Sequence, residues 1–268
     1  MNHLKLKKSL NYLAPIQLKS LIRIGNKRDG GYVLEKNSLK KINFLLSFGQ
    51  ANNFTFEKNF LKLNNKSEIL IYDHTVNKTK FFLDFIKSIK RMIYFKSNIN
   101  NIKKKYYEFI DYLNLIKNPK INHYQIKVSN KNTMMENNLD KIFNEIKRKK
   151  ILLSIDIEGD EYKILKDINK YHSSIHLLVV EFHHLNKNRV NFEKIIKLLK
   201  KKFNIIHIHG NNYTSICNDG LPITLEITFR NKILYPVKII KYVKKFPIKY
   251  LDYPNLEGKS DIKFIFDI

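Results

Sequence analysis

The sequence predicts an α/β fold: a doubly wound sheet of seven mostly parallel strands, with a helical insert after the second core strand. Three observations carry this expectation. Short apolar runs alternate with stretches of helical period, as in repeated βαβ units. The residues that follow successive runs are polar, and these are the positions that line ligand sites in open α/β sheets. One long basic segment, 77–122, breaks the alternation.

The expected strands, in order, are 43–48, 69–73, 123–128, 151–157, 175–182, 203–209 and 225–229. Each is a short run rich in Ile, Leu, Val or Phe, bounded by polar residues. Between them, Leu139, Ile142, Phe143 and Ile146 recur at helical spacing. Phe192, Ile195, Ile196, Leu199 and Phe203 do the same, with Asn191 as the expected cap. Ile164, Leu165 and Ile168 form a weaker version after the fourth strand.

Segment 77–122 has no glycine, and its 11 Lys and Arg against three acids give it a local charge of +8. It reads as an inserted basic helical lid, with Phe and Tyr inward and lysines in solvent. Its mixture of basic and aromatic residues also suits a stacking platform for bases or peripheral contact with an anionic membrane. Residues 232–250 repeat the bias, with six lysines and no acid.

A chain of 268 residues, 43% apolar, can bury one large core, so residues 1–268 are read as a single domain. The apolar runs are far shorter than the roughly 18 residues of a membrane span. With no apolar signal core at the amino terminus, the expectation is a soluble, cytoplasmic protein. Cys217, the one cysteine, excludes an internal disulfide and a CxxC zinc pair. The net charge of +26 would ordinarily point to nucleic acid. Here Lys, Asn and Ile crowd the whole chain and Arg is scarce, so nucleic acid is not the expected partner. The sequence leaves the oligomeric state open.

The chemistry-bearing residues collect at the ends of the expected strands. The first strand runs into Ser47, Phe48, Gly49, Gln50, Ala51 and Asn52, a turn that lets backbone approach a nucleotide or amino-acid moiety. The second ends at Asp73, where a carboxylate usually accepts two ribose hydroxyls; a structural cap is the competing reading. The turn is not GxGxxG, which disfavours a dinucleotide. The fourth strand delivers Asp156, Glu158, Asp160 and Glu161, with Asp156 and Glu158 expected on one face. The fifth ends in Glu181, His183 and His184, and the sixth in His207, His209, Asn211 and Asn212. So many polar groups need partners or a purpose.

Several strings, in order along the chain, carry a resemblance. They are RIGNKRDGGYVL (23–34), LLSFGQANNFTFEKNF (45–60), IYDHT (71–75), LLSIDIEGDEYKIL (152–165), VVEFHHL (179–185), HIHGNNY (207–213) and LEITF (225–229). Together they resemble the FkbM-type methyltransferases, class I Rossmann-like enzymes, with IDIEG-x-E as the most recognisable element. The resemblance implies S-adenosylmethionine as cofactor, its methionine part near Gly49 and Gln50 with Ser47 in the same turn, and its ribose on Asp73. It places Asp156 beside the transferred methyl group. The family's second turn glycine is replaced here by Ala51. The segment Asp29-Gly30-Gly31-Tyr32 is expected to close one side of the pocket.

The implied activity is O-methylation of a sugar, glycan or related surface metabolite. A hydroxyl acceptor calls for a base, so His183 or His209 is expected to serve, oriented by Asp156 or Glu181. Glu158, Asn211 and Asn212 are assigned to acceptor hydroxyls. A divalent ion held by Asp156, Glu158, Glu181, His183 and His209 is a weighed alternative to which the sequence does not commit. The rival readings are a nucleic-acid methyltransferase, which the Asp-Ile-Glu-Gly string at the fourth strand argues against, and a non-enzymatic basic binding module.

Overall fold

The computed structural model describes residues 4–146, 149–238 and 240–268. Its centre is one seven-stranded sheet of β1 (Phe44–Phe48), β2 (Glu68–Tyr72), β3 (Ile121–Tyr124), β4 (Ile151–Ile155), β5 (Ile175–Phe182), β6 (Phe203–Gly210) and β7 (Leu225–Asn231). The spatial order is β6-β7-β5-β4-β1-β2-β3. All neighbours are parallel except β7, which runs antiparallel between β5 and β6. Besides a single turn at Lys36–Leu39 and two 3-10 segments, the described helices are α1 (Thr55–Leu63), α2 (Lys78–Ile93), α3 (Ile99–Ile116), α4 (Leu139–Glu145), α5 (Glu161–Ile164) and α6 (Leu185–Leu199).

The central strands are buried on both faces, which is why they read as unbroken apolar runs. Alternation sorts their side chains between two cores. Leu46, Phe48, Leu153 and Ile155 pack with Ile142 of α4 and Phe192 of α6. Leu45, Leu152, Ile69 and Ile71 pack on the other side with Phe56 and Phe60 of α1 and with Phe81 and Tyr112 of the insert. A two-stranded hairpin, Leu21–Gly25 with Gly31–Glu35, adds Tyr32 and Leu34 to that second core. Strand order reverses at β1, which lies between β4 and β2, so the crevice beyond their carboxyl ends is where a ligand would sit.

Several strand ends shift by one or two residues from the sequence reading, and four boundaries differ in ways that bear on the site. The third strand is Ile121–Tyr124 rather than 123–128, because the chain turns after Tyr124; Lys127–Val128 pairs separately with Glu136–Asn137. Ile121 and Asn122 are therefore sheet and not insert. The fourth strand stops at Ile155, since Glu158 and Gly159 adopt φ of 54° and 107° and turn the chain. Helix α6 starts at Leu185, not after Asn191, following a left-handed His184 and passing a non-helical Asn188.

The insert is an antiparallel pair of helices capped by Asn77 and Asn98. The Phe81 and Tyr112 rings lie 4.8 Å apart, tilted by 30°, and pack on Phe54, while Asn52 donates to Glu108 across 3.2 Å. These contacts buttress the β1–α1 connection from outside. At the far edge, residues from 232–250 contribute a short strand, Lys245–Phe246, that joins Phe264–Ile265 and through it Leu4–Lys5. Ile239 of that tail lies outside the described residues. Among the described residues, no helix is long and apolar enough to cross a membrane.

Candidate functional site

The turn after β1 passes directly over the end of β4. Gly49 has φ of 72°, and a Cβ there would fall 1.7 Å from the carbonyl oxygen of Asp156, so glycine is the residue that fits. Ala51 also has a left-handed φ, 51°, a conformation that the family's usual glycine adopts without strain. Asp73, at the end of β2, holds this turn. Its Oδ2 accepts from the backbone nitrogens of Gln50 and Ala51, each at 2.8 Å, and its Oδ1 accepts from the nitrogen (2.7 Å) and hydroxyl (2.6 Å) of Thr75. Burial alone would raise the Asp73 carboxyl, but these bonds outweigh it and hold the group below its ordinary range. All four acceptor positions are used within the chain, as the cap reading expects, so a ribose on Asp73 would have to displace one of these donors.

Beneath the turn lies a cavity of about 310 Å³, lined by Gly49, Ala51, Asp73, Asp156, Ile157 and Glu158 from the expected strand ends. Asp160 of the fourth-strand acidic string lines it too, together with His74, Thr75, Lys127 and Val128, to which the sequence reading gave no role in the site. Lys127 and Asp160 pair at 2.6 Å across the rim. The pair was hidden because 123–128 reads as one strand. Ser47 and Gln50 do not line the cavity. The Ser47 hydroxyl donates to buried Glu57 at 3.0 Å, and Gln50 contributes its backbone to Asp73, so the direct cofactor contact expected of Ser47 is corrected to a structural one. No residue of α2 or α3 is among those lining the cavity; the insert meets the site through the β1–α1 connection.

Asp156 and Glu158 converge on His183, which follows β5. The His183 Nε2 lies 3.5 Å from Asp156 Oδ1, 3.6 Å from Glu158 Oε2 and 3.8 Å from Glu181 Oε1. Alternation does not produce this meeting; the left-handed turn at Glu158 does. His183 is 7% exposed and neither ring nitrogen has a hydrogen bond among the described residues. Buried Glu161 staples the two turns together, accepting from the nitrogens of Gly159 and His183, each at 2.7 Å. Glu181 is fixed by Asn211, whose Nδ2 donates across 2.8 Å.

The electrostatics follow from crowding. Burial and the charges of Glu181 and Glu158 push Asp156 well above the usual carboxylate range, although a third of its side chain opens onto the cavity. Burial and Glu226 push Glu181 up to about 8. Burial disfavours the His183 cation, but Glu161 and Glu181 outweigh it and raise the ring's pKa. Residues 29–32, expected to close one side of the pocket, are not among those lining the cavity, but two of them share its electrostatics: burial and Asp156 raise the Tyr32 phenol, and burial and Glu226 raise Asp29. Asp156, Glu158 and His183 each present a ligand atom within 4.8 Å of the others, so these three residues have the donor types and spacing to share a cation.

The β6 end serves a different purpose from the one expected. His209 is 1% exposed, with Nδ1 3.2 Å from Glu226 and Nε2 3.1 Å from Asp261. With both nitrogens engaged it has none free for an acceptor proton, so its expected role as base is corrected to a structural one. It is equally unavailable for the ligand set weighed from the sequence. Asn212 is fully buried; its amide donates to the carbonyls of Leu256, Lys259 and Ser260, and its oxygen accepts from the nitrogen of Leu256. Asn211 holds Glu181 and the nitrogen of Tyr213. Neither amide is free for an acceptor. His207, His209 and Asn212 clasp segment 252–261 to the sheet, a long-range use that the residue types alone do not reveal.

Residues 61–210 match the family model "Methyltransferase FkbM domain". The chain belongs to the FkbM methyltransferase family. The match runs from within α1 to the end of β6, so it contains Asp73, Asp156, Glu158, Glu181 and His183, while Gly49 precedes it. The seven-stranded order with antiparallel β7 is the class I methyltransferase sheet expected from the sequence. No curated protein matches the FkbM chain in sequence. Among solved structures, similarity extends to "fibrillarin/Nop5p complex" (9% identity, 86% of this chain and 100% of that one, TM-score 0.39). It also extends to a Methanococcus jannaschii fibrillarin pre-rRNA processing protein (10%, 80% and 82%, 0.40) and to a putative caffeoyl-CoA O-methyltransferase from Staphylococcus aureus (10%, 72% and 78%, 0.35). At these scores they are likenesses and carry no argument about this FkbM enzyme's substrate.

Proposed function

We propose that this methyltransferase is S-adenosylmethionine-dependent and methylates a hydroxyl of a sugar, glycan or related surface metabolite in the cytoplasm. The observation that carries the reading is one cavity at the strand-order switch point, with a close-approach turn on one side and an unpartnered imidazole among carboxylates abutting the other. The lining suits the cofactor. Gly49 leaves backbone bare where a Cβ would intrude, Asp73 stands at the edge assigned to ribose, and Val128 and Ile157 offer apolar surface for a purine. When bound, the cofactor supplies an electrophilic methyl group on a sulfonium.

The chain's own task is then alignment and proton removal. His183 does not itself line the cavity but stands against Asp156 and Glu158, which do, and its Nε2 takes the hydroxyl proton; Glu161, 3.6 Å from Nδ1, favours the resulting imidazolium. Asp156 and Glu158 accept hydrogen bonds from neighbouring hydroxyls of the acceptor, a recognition that suits a polyol. Glu181, anchored by Asn211, holds the imidazole from behind.

Calorimetry with S-adenosylmethionine and S-adenosylhomocysteine tests the cofactor half. The intact protein is expected to bind both, and Asp73→Ala to lose binding by at least about tenfold, because the turn loses its anchor along with the ribose acceptor. Thr75→Val separates the two roles: a ribose that displaces the Thr75 hydroxyl leaves binding in this variant intact or tighter. Absence of binding by the intact protein would sink the reading.

The donor spacing of Asp156, Glu158 and His183 supports a second reading, in which the cluster holds a divalent cation that orients a diol. The imidazole then holds the ion instead of the proton. Activity lost in chelator and restored by magnesium or manganese is the result this reading expects; full activity in chelator removes it.

A further inference from the structure

The tip of the insert presents a surface that the catalytic reading does not use. Helix α2 ends in Ile93, Tyr94 and Phe95, and α3 begins at Ile99; all four side chains are more than half exposed, Phe95 at 98%. The tip backbone is ordered. Lys96 N donates to Arg91 O at 2.7 Å and Phe95 N to Met92 O at 2.9 Å, the paired bonds of a Schellman helix stop. In that motif the left-handed position ordinarily belongs to glycine, yet here it holds Phe95, with φ of 55°. A bulky residue pays backbone strain there, and at 98% exposure Phe95 gains almost no packing among the described residues to offset it.

The charge around the tip is one-sided. Between Asp84 and Glu108 the sequence contains seven Lys and Arg and no acid. Lys87, Lys90, Arg91, Lys96, Lys103 and Lys104 are exposed, and among the described residues none of them forms an ion pair. An apolar point ringed by unpaired cations is complementary to an anionic bilayer, where side chains enter the headgroup boundary and lysines meet lipid phosphates and carboxylates. Nucleic acid fits less well, because Ile93 and Ile99 cannot stack on bases and Arg91 is the only guanidinium in the ring. A second copy of the chain would bring the same positive charge against itself.

We infer that the tip of the α2–α3 hairpin docks the enzyme on anionic lipid, inserting Phe95 and its apolar neighbours into the interface. This inference is independent of the proposed chemistry, since no residue of either helix lines the cavity.

Co-sedimentation of the full chain with phosphatidylcholine vesicles, with and without phosphatidylserine, tests it. Binding is expected only with phosphatidylserine and is expected to weaken as salt is raised. Phe95→Gly should weaken binding about tenfold while its melting temperature stays level or rises, because glycine relieves the left-handed strain. Lys90→Gln with Arg91→Gln should weaken binding about fivefold or more per charge. Equal binding to neutral vesicles, no binding to either, or unchanged binding by Phe95→Gly would overturn the inference. So would vesicle-independent binding of single-stranded oligonucleotide, or a dimer, that Phe95→Gly abolishes.

Discussion

His183→Ala is expected to lower the rate of methyl transfer by about two to four orders of magnitude, the usual contribution of a positioned acid–base group. Affinity for S-adenosylmethionine should change by less than about threefold, because the cofactor cradle of Gly49, Ala51 and Asp73 lies on the other side of the cavity. The split matters. A histidine that merely filled space would affect folding or both constants together, whereas one that receives the acceptor's proton affects kcat with binding preserved. Single-turnover assays with a screened sugar acceptor, alongside calorimetry, read both quantities. A rate within about threefold of the parent would exclude His183 from the proton-transfer step and leave the cavity without a base.

The largest stability effect is expected at His209. Burial disfavours its cation, but Glu226, Asp261 and Asp252 outweigh burial and hold the ring's pKa well above its ordinary 6.5. Glu226 responds in the opposite direction: burial would raise it, and His209, Arg23 and Asn255 hold it below 4.5. Removing one member of such a buried network leaves the others uncompensated, at about 3–5 kcal/mol, or roughly ten degrees of melting temperature for a chain of this size. His209→Ala should show that loss at neutral pH in a thermal melt.

The pH dependence has a definite sign. A raised folded-state pKa gives stability that is complete below 6.5 and lost as pH rises through the folded value. The depressed Glu226 gives stability that is complete above 4.5 and lost as pH falls through its lower folded value. The network therefore contributes most between those limits, and His209→Ala should flatten the alkaline side of the parent's stability curve. A variant that melts within about two degrees of the parent would contradict the assignment of His209 as a structural cation.

The sheet was legible because its strands are buried on both faces and so appear as uninterrupted apolar runs, Ile151–Ile155 and Ile175–Phe182 above all. Boundaries were less legible where turn geometry intervened. The sequence offers no sign that Glu158 takes a left-handed conformation, yet that turn, not strand alternation, brings its carboxylate to His183. The cavity's inner wall was legible for a related reason: Gly49, Asp73 and Asp156 sit at strand ends fixed by local pattern.

What could not be read were meetings between distant segments. His209 and Asn212 look like site residues by type and position, but their partners lie 44 to 52 residues further along the chain, in a stretch with no strong periodicity. Glu161 was visible as part of an acidic string, while its task of tying Gly159 to His183 depends on β4 and β5 lying side by side. Polar residues at strand ends thus divide into those that face a cavity and those that fasten a crossing segment, and only the three-dimensional arrangement sorts them.

The clasp between segment 252–261 and the β6 and β7 ends carries a consequence for synthesis. A ribosome releases residues in order, so β6 and β7 emerge before Asp261. Until then His209 and Glu226 cannot be sealed from water with their full set of partners. The β6–β7 edge therefore remains unlatched until segment 252–261 has followed it out of the ribosome, and the network around His209 acquires its settled charges only then.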